Sequence, residues 1–454
     1  MSDLMTALEV TGLAAGAGGL GYAKHRAPRV YWTLVGLPVT WGRFTFTFRS
    51  TMEVCGLTVQ ASGLKAAMAR AARRQVRPAM PKIRRVRGTS TGLRARLKLP
   101  AGLEPADVSA SAERLRHAWG VRSVTVVETR PGMVELRMTG YDVLGRVRMP
   151  RRFKPEGPMV VPVALREDGT VFIRDYRKVP MALTLGATLS GKSMYQRNLI
   201  KGLAEQPVAL VGIDCKRGVE QSPYAARFSG MATTPDESDG LLKALVREME
   251  DRFDLLGDYG AANVWELPDA VRPVPLVLLV DEVAELFMVA ARKDEERRDR
   301  MVQYLVRLAQ MARAVGMYLE ICGQRFGSEL GKGATMLRAQ LTGRVVHRVN
   351  DLQTAEMGIK DIAPEALPVV TTIPPDRPGV AVAGDTSGGW SRIRTPETSQ
   401  AEAVAACRRF AHLTPELPAL ADFRPLVDPE PAPEPDPAPA PDDASPLVPQ
   451  PVAD

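Results

Sequence analysis

Gly186-Ala187-Thr188-Leu189-Ser190-Gly191-Lys192-Ser193 stands between a short apolar run, residues 181–185, and an amphipathic stretch that begins at Met194. An apolar run, a glycine-bounded turn ending in Lys-Ser, and then a helix make the pattern of a phosphate-binding loop. Two glycines let the backbone turn tightly enough to aim several N–H groups at one phosphate. Lys192 can then reach the β- and γ-phosphate oxygens, and Ser193 offers a hydroxyl to Mg²⁺. The helix adds the positive end of its dipole. All eight residues from Gly186 to Ser193 are expected to bind ATP, with Ser193 also on the metal.

A phosphate loop alone says only that a nucleotide binds. The fully apolar Leu276-Val277-Leu278-Leu279-Val280 ends in Asp281-Glu282. A buried strand presents its last residues at the carboxyl edge of a sheet, where the ligands of doubly wound folds sit. Asp281 is expected to hold Mg²⁺, and Glu282 to orient or deprotonate the attacking water. A further apolar strand, 319–323, ends in Gln324-Arg325, where an amide can sense the γ-phosphate or position the water. Ile213-Asp214-Cys215-Lys216 again places charge where an apolar strand stops, either for the site or for a structural ion pair.

At 454 residues the chain has room for two or three domains. Its four cysteines lie far apart with no CxxC pair and it has only four histidines, which argues against a zinc site or a disulfide framework. The net charge of +8 understates an asymmetry: residues 54–103 hold a dozen Lys and Arg and no acid, whereas 425–454 hold seven acids and no Lys or Arg. The basic stretch suits phosphate, from nucleic acid or anionic lipid, or else a solvated helix face. Residues 5–23 and 30–41 are apolar, but the first is interrupted by Glu9 and the second is too short to span a bilayer. Peripheral membrane contact and an aromatic core segment are both open for this region.

The periodicities divide the chain into five parts. Residues 1–60 are the membrane-associated candidate, and 61–150 a basic region with a small α+β domain, read as β-α-β-β from strands at 93–99, 124–128 and 133–138 and a helix over 104–119. In 151–395 short buried strands alternate with long helical stretches, which predicts a parallel sheet covered by helices. Residues 396–424 form a helical extension. The last part, 425–454, carries eleven prolines and is expected to stay disordered.

The loop, Gly212-Ile213-Asp214-Cys215-Lys216, Leu245-Val246-Arg247-Glu248-Met249-Glu250-Asp251-Arg252, Val280-Asp281-Glu282-Val283-Ala284-Glu285-Leu286, and Leu308 to Gly316 with Cys322-Gly323-Gln324-Arg325 follow in an order that resembles the FtsK/SpoIIIE family of double-stranded DNA translocases. That resemblance implies a P-loop NTPase (RecA-like) motor domain, a homo-hexameric ring, double-stranded DNA as partner, and an arginine acting on the neighbouring subunit's nucleotide. The arginine falls on Arg344, with Arg313 and Arg325 as other candidates. The family usually has Gly where this chain has Leu189. The opening Tyr31-Trp32-Thr33-Leu34-Val35-Gly36-Leu37-Pro38 is similar to actinobacterial plasmid transfer proteins, which implies a pump for conjugative DNA at the cytoplasmic face of the membrane. The alternatives are an FtsK-like protein-secretion ATPase and a chromosome-partition motor.

Overall fold

Alternation of apolar and polar residues builds most of the first sheet. The computed structural model describes residues 24, 26–60, 78–147, 149–150, 157–289, 291–327, 330–331, 333–387 and 389–427. Four strands, β1 (Lys82–Gly88), β2 (Gly92–Lys98), β3 (Ser123–Arg130) and β4 (Met133–Thr139), pair antiparallel in the order β1-β2-β4-β3. Leu93, Ala95, Leu97, Val134, Leu136 and Met138 are buried on one face. The period of two turns Arg94, Arg96 and Lys98 to the other. Helices Pro105–Ala110 and Ala112–Trp119 cover the apolar face together with a third, Leu37–Val54.

That third helix takes in the end of the apolar run 30–41 and packs one face on the sheet. Phe44 and Phe48 meet Trp119 with ring centroids 4.9 and 6.5 Å apart, and Met52 is fully buried. Over Leu37–Val54 one face of the segment is therefore core, while within 30–41 Trp32 is buried and Val30, Leu34, Val39 and Trp41 are exposed; the small domain begins upstream of residue 60. Among the described residues no helix is long and apolar enough to cross a membrane. Residues 5–23, where membrane contact was also expected, lie outside the described residues, as does the tail from 428 onward.

The unit is ββααββ, not β-α-β-β. Strand β1 escaped the sequence reading because a register shift between Ile83 and Arg85 breaks its alternation, and because Lys82, Arg84, Arg85 and Arg87 leave it few apolar residues to alternate.

The second sheet has ten strands. It consists of β5 (Val160–Arg166), β6 (Val171–Asp175), β7 (Met181–Leu185), β8 (Ala209–Ile213), β9 (Phe228–Ala232), β10 (Leu276–Val280), β11 (Met317–Gly323), β12 (Gly343–His347), β13 (Val380–Asp385) and β14 (Trp390–Arg394). The order is β6-β5-β14-β13-β12-β7-β11-β10-β8-β9. The six strands from β12 to β9 are parallel, as expected, and buried along their whole lengths. Helices on both faces leave them no solvent side to keep polar. The other four continue the sheet antiparallel. The sheet is thus mixed, and these four were not legible as helix–strand alternation because β5–β6 and β13–β14 are joined by short turns rather than crossover helices.

Helices Pro235–Tyr259 and Arg292–Met311 pack on one face, and Lys192–Ala204 and Gln400–Arg409 on the other. Thr234 caps the first, its hydroxyl accepting from Glu237 N–H while the Glu237 carboxylate accepts from Thr234 N–H. Ala403 and Cys407 are buried against the face formed with Lys192–Ala204, so the extension after residue 396 packs onto the ten-stranded sheet. An ion pair between Arg174 of β6 and Glu320 of β11, 4% and 0% exposed, ties the β5–β6 hairpin to the middle of the sheet.

Candidate active site

Sheet order brings together what the sequence separates. Strands β7, β11, β10 and β8 are neighbours and parallel, so their carboxyl ends share one edge. That edge gathers the loop 186–193, Gln324, the Asp281-Glu282 pair, and Asp214 with Lys216.

The loop is shaped by close backbone approaches. Gly191 has φ +102°, and a Cβ there would stand 2.2 Å from the nitrogen of Gly379. The carbonyl of Ser190 accepts from that same Gly379 N–H at 2.9 Å, which backs the loop against the start of β13. A Cβ on Gly186 would meet Ser190 Oγ at 2.4 Å. Among the described residues, the N–H groups of Leu189, Gly191, Lys192 and Ser193 have no protein acceptor. Unpaired donors of this kind are what a phosphate would take. Leu189 has φ +61° and is 87% exposed. It occupies the left-handed region that glycine enters freely, which gives a physical reason for the Gly that the resemblance implies at this position.

Two acids face two lysines. Lys192 Nζ donates to Glu282 Oε2 at 2.9 Å and to the carbonyl of Asp281 at 3.3 Å. Lys216 Nζ lies 3.1 Å from Asp281 Oδ2 and 3.9 Å from Glu282 Oε2. Burial works against the charge on Lys216, but the charge and hydrogen bond of Asp281, with Glu282 behind it, outweigh that and hold its pKa above the ordinary lysine range. Glu282 Oε1 accepts from the backbone N–H of Gln324 at 3.1 Å. Asp281 Oδ1 is buried without a partner. An unmatched carboxylate oxygen at the sheet edge that also carries the half-buried Ser193 fits a hard cation that prefers oxygen ligands, so the residues present suit Mg²⁺.

Other expected residues fall differently. Asp214 is fully buried and accepts from the N–H groups of Lys216, Glu220 and Gln221, which makes it the organiser of the loop after β8, not a ligand. Gln324 reaches Glu282 through its backbone, and its side chain is exposed at the edge. Arg344 does not lie there. It is 4% exposed, near the start of β12, donates to the carbonyls of Arg338 and Gly343, and burial pulls its pKa down to about 10. A guanidinium buried this way is not presented to a neighbouring subunit. Arg313 precedes β11 and so lies at the opposite end of the sheet, while Arg325 is exposed at the site edge and donates to Gln353.

Three site residues were missed or undervalued. Lys216 was read as half of an ambiguous charge cluster. Arg348 follows β12 and donates to Thr188 O within the loop at 3.0 Å. His347 sits buried beneath the loop, its Nδ1–H donating to Val380 O at 3.2 Å. Nothing in the sequence marked the last two, because β12 comes to lie beside β7 only through the sheet order.

Comparison with known proteins matches residues 17–140 to the actinomycete conjugal transfer protein N-terminal domain, and 144–275 and 266–328 to the FtsK/SpoIIIE family. Transfer protein TraSA of Streptomyces ambofaciens is 56% identical over 401 residues, covering 85% of this chain and 96% of that one. A sporulation regulatory protein of Streptomyces azureus is 71% identical over 251 residues, 55% of this chain and 83% of that one. The DNA translocase FtsK of Chlorobaculum tepidum is 32% identical over 228 residues, 46% of this chain but only 27% of that one. Among solved structures, the pCW3 conjugation coupling protein TcpA with ATPγS superposes with a TM-score of 0.52 at 18% identity, over 71% of this chain and 90% of that one. That last likeness shows the fold.

Proposed function

The chain belongs to the FtsK/SpoIIIE family, in its branch of actinomycete conjugal transfer proteins, and from that premise we propose that it is an ATP-driven pump for double-stranded DNA in plasmid transfer. The observation that carries the reading is the convergence at one sheet edge. The loop with its free N–H groups, Lys192, the paired acids and Gln324 meet within hydrogen-bond reach. This arrangement suits ATP hydrolysis. Incoming phosphates would draw Lys192 away from Glu282 and leave that carboxylate, still anchored by Gln324 N–H, to orient and deprotonate water. Ser193 and Asp281 would hold Mg²⁺, which when bound neutralises charge on the β- and γ-phosphate oxygens.

In this reading the subunits form a hexameric ring at the cytoplasmic face of the membrane, held there peripherally. An exposed edge arginine such as Arg325 would act on the neighbour's nucleotide in place of the buried Arg344. DNA contact would be independent of sequence and sensitive to salt. The test is the rate of phosphate release with and without linear duplex DNA. Stimulation by duplex is expected, and an unchanged rate would remove DNA as the driven substrate.

A further inference from the structure

Strands β1 and β2 carry Lys82, Arg84, Arg85, Arg87, Arg94, Arg96 and Lys98 and no acid. The register sets Lys82 opposite Lys98, Arg85 opposite Arg96, and Arg87 opposite Arg94. Like charges directly opposite one another destabilise an antiparallel pair, and here the opposition occurs on three successive rungs. All six share the face turned away from buried Leu93, Ala95 and Leu97. Strand β4 extends the ladder with Arg137 beside Arg94 and Glu135 beside Arg96. Glu135 is the acid of this ladder, and it is already taken: it is buried and accepts from Arg96 at 3.1 Å and Arg137 at 3.2 Å. Lys82, Arg85, Arg87 and Lys98 are exposed and have no carboxylate partner among the described residues. A charged edge strand can serve only to prevent edge-to-edge pairing. That needs a charge or two on β1, not matched cations on the interior strand β2.

We propose that the open face of β1 and β2 is where the chain holds the phosphate backbone of duplex DNA, an inference that rests on the DNA-motor reading above. The rungs repeat every ~6.8 Å along strands ~4.8 Å apart, a surface dense enough in cations to engage several charges of a duplex that carries one per ~1.7 Å of axis. Guanidinium forks, which supply four of the six rung residues, match phosphate oxygens in pairs. The three rungs hold no apolar side chain for a bilayer to take up, so a lipid surface would be held by this face through charge alone. Cations spread evenly over the three rungs suit the uniform phosphate backbone, a contact that carries no sequence information.

The test compares the full chain with its Lys82→Gln, Arg85→Gln, Arg87→Gln triple variant on a linear duplex of random sequence across a salt series. Duplex affinity should fall at least about tenfold at low salt, and the slope of log affinity against log salt should flatten by about 2.7 for three lost cations. Because opposed charges are relieved, the melting temperature should hold or rise, and ATP turnover without DNA should not change. An Arg85→Lys, Arg87→Lys variant should keep the parent slope. Unchanged duplex affinity and slope in the triple variant, with the parent binding normally, would overturn this assignment and leave the DNA motor standing. A parent that binds no duplex would overturn the motor reading itself. Loss confined to phosphatidylglycerol vesicles, or duplex loss that tracks a fall in melting temperature, would also overturn the assignment, to a lipid contact or a structural role.

Discussion

Lys192 Nζ lies 2.9 Å from Glu282 Oε2, so the lysine that the loop offers to phosphate is held by the carboxylate placed to act on water. The other oxygen of Glu282 is fixed by Gln324 N–H at 3.1 Å. Glu282→Gln keeps an acceptor for that N–H but cannot take a proton. The variant should still bind a fluorescent ATP analogue, while phosphate release slows by about 10²- to 10⁴-fold. Turnover at the parent rate would show that Glu282 is not the base.

Lys216 is the cation that matches Asp281 Oδ2, at 3.1 Å, while Asp281 is 1% exposed. Lys216→Gln leaves a buried carboxylate short of a partner and should cost about 1–3 kcal/mol without nucleotide. Mg²⁺ with ADP should restore most of that loss, because the metal would take over the charge. Thermal melts of parent and variant, with and without Mg²⁺·ADP, decide it. A loss that the metal nucleotide does not repair would make Lys216 a structural residue alone.

Leu189 has φ +61° with its side chain 87% exposed, so it strains the loop without burying anything in return. A non-glycine residue in this region costs about 1–2 kcal/mol, part of which glycine gives back through its freer unfolded chain. Leu189→Gly should therefore raise stability by about 0.5–1 kcal/mol. The β-branched Leu189→Val should lower it by about 1 kcal/mol. Denaturant melts of the two variants should move in opposite directions, and movement the same way would put the strain elsewhere.

Particular residues show how much of this was legible in the sequence. The loop, Asp281 and Glu282 could be read because buried parallel strands announce themselves as apolar runs, and whatever follows such a run lies at the ligand edge. The order β7-β11-β10-β8 could not be read, since adjacency in a parallel sheet is a tertiary choice made through crossover helices. For that reason Lys216 looked ambiguous, and Arg348, which touches Thr188 from just after a strand 160 residues away, was not seen. Arg344, implied by the family resemblance, lies on β12 and is buried. Alignment supplies a strand but not whether a side chain points into the core, and here the guanidinium is buried on the carbonyl of Arg338. The basic edge strand β1 was hidden by its bulge and its charges, the two features that make its face unusual.

His347 is fully buried, its Nε2 has no partner, and its Cβ lies 3.0 Å from where a Cβ on Gly186 would stand, so it supports the base of the phosphate loop. Burial pushes its imidazole down to about 4 from the ordinary 6.5; the Val380 carbonyl partly opposes this and the charge of Lys192 adds to it. Between those two values the unfolded chain binds a proton that the folded chain refuses, so stability rises with pH across this window. The contribution is complete above about pH 6.5 and lost as pH falls toward 4, on the order of 3 kcal/mol in all. His347→Gln does not titrate and can still donate to Val380 O. Its stability should therefore be flatter over pH 4–6.5, and its nucleotide affinity should persist where that of the parent falls. If parent and variant lost stability in parallel across that window, carboxylates elsewhere would carry the acid sensitivity, and the loop would not depend on a neutral His347.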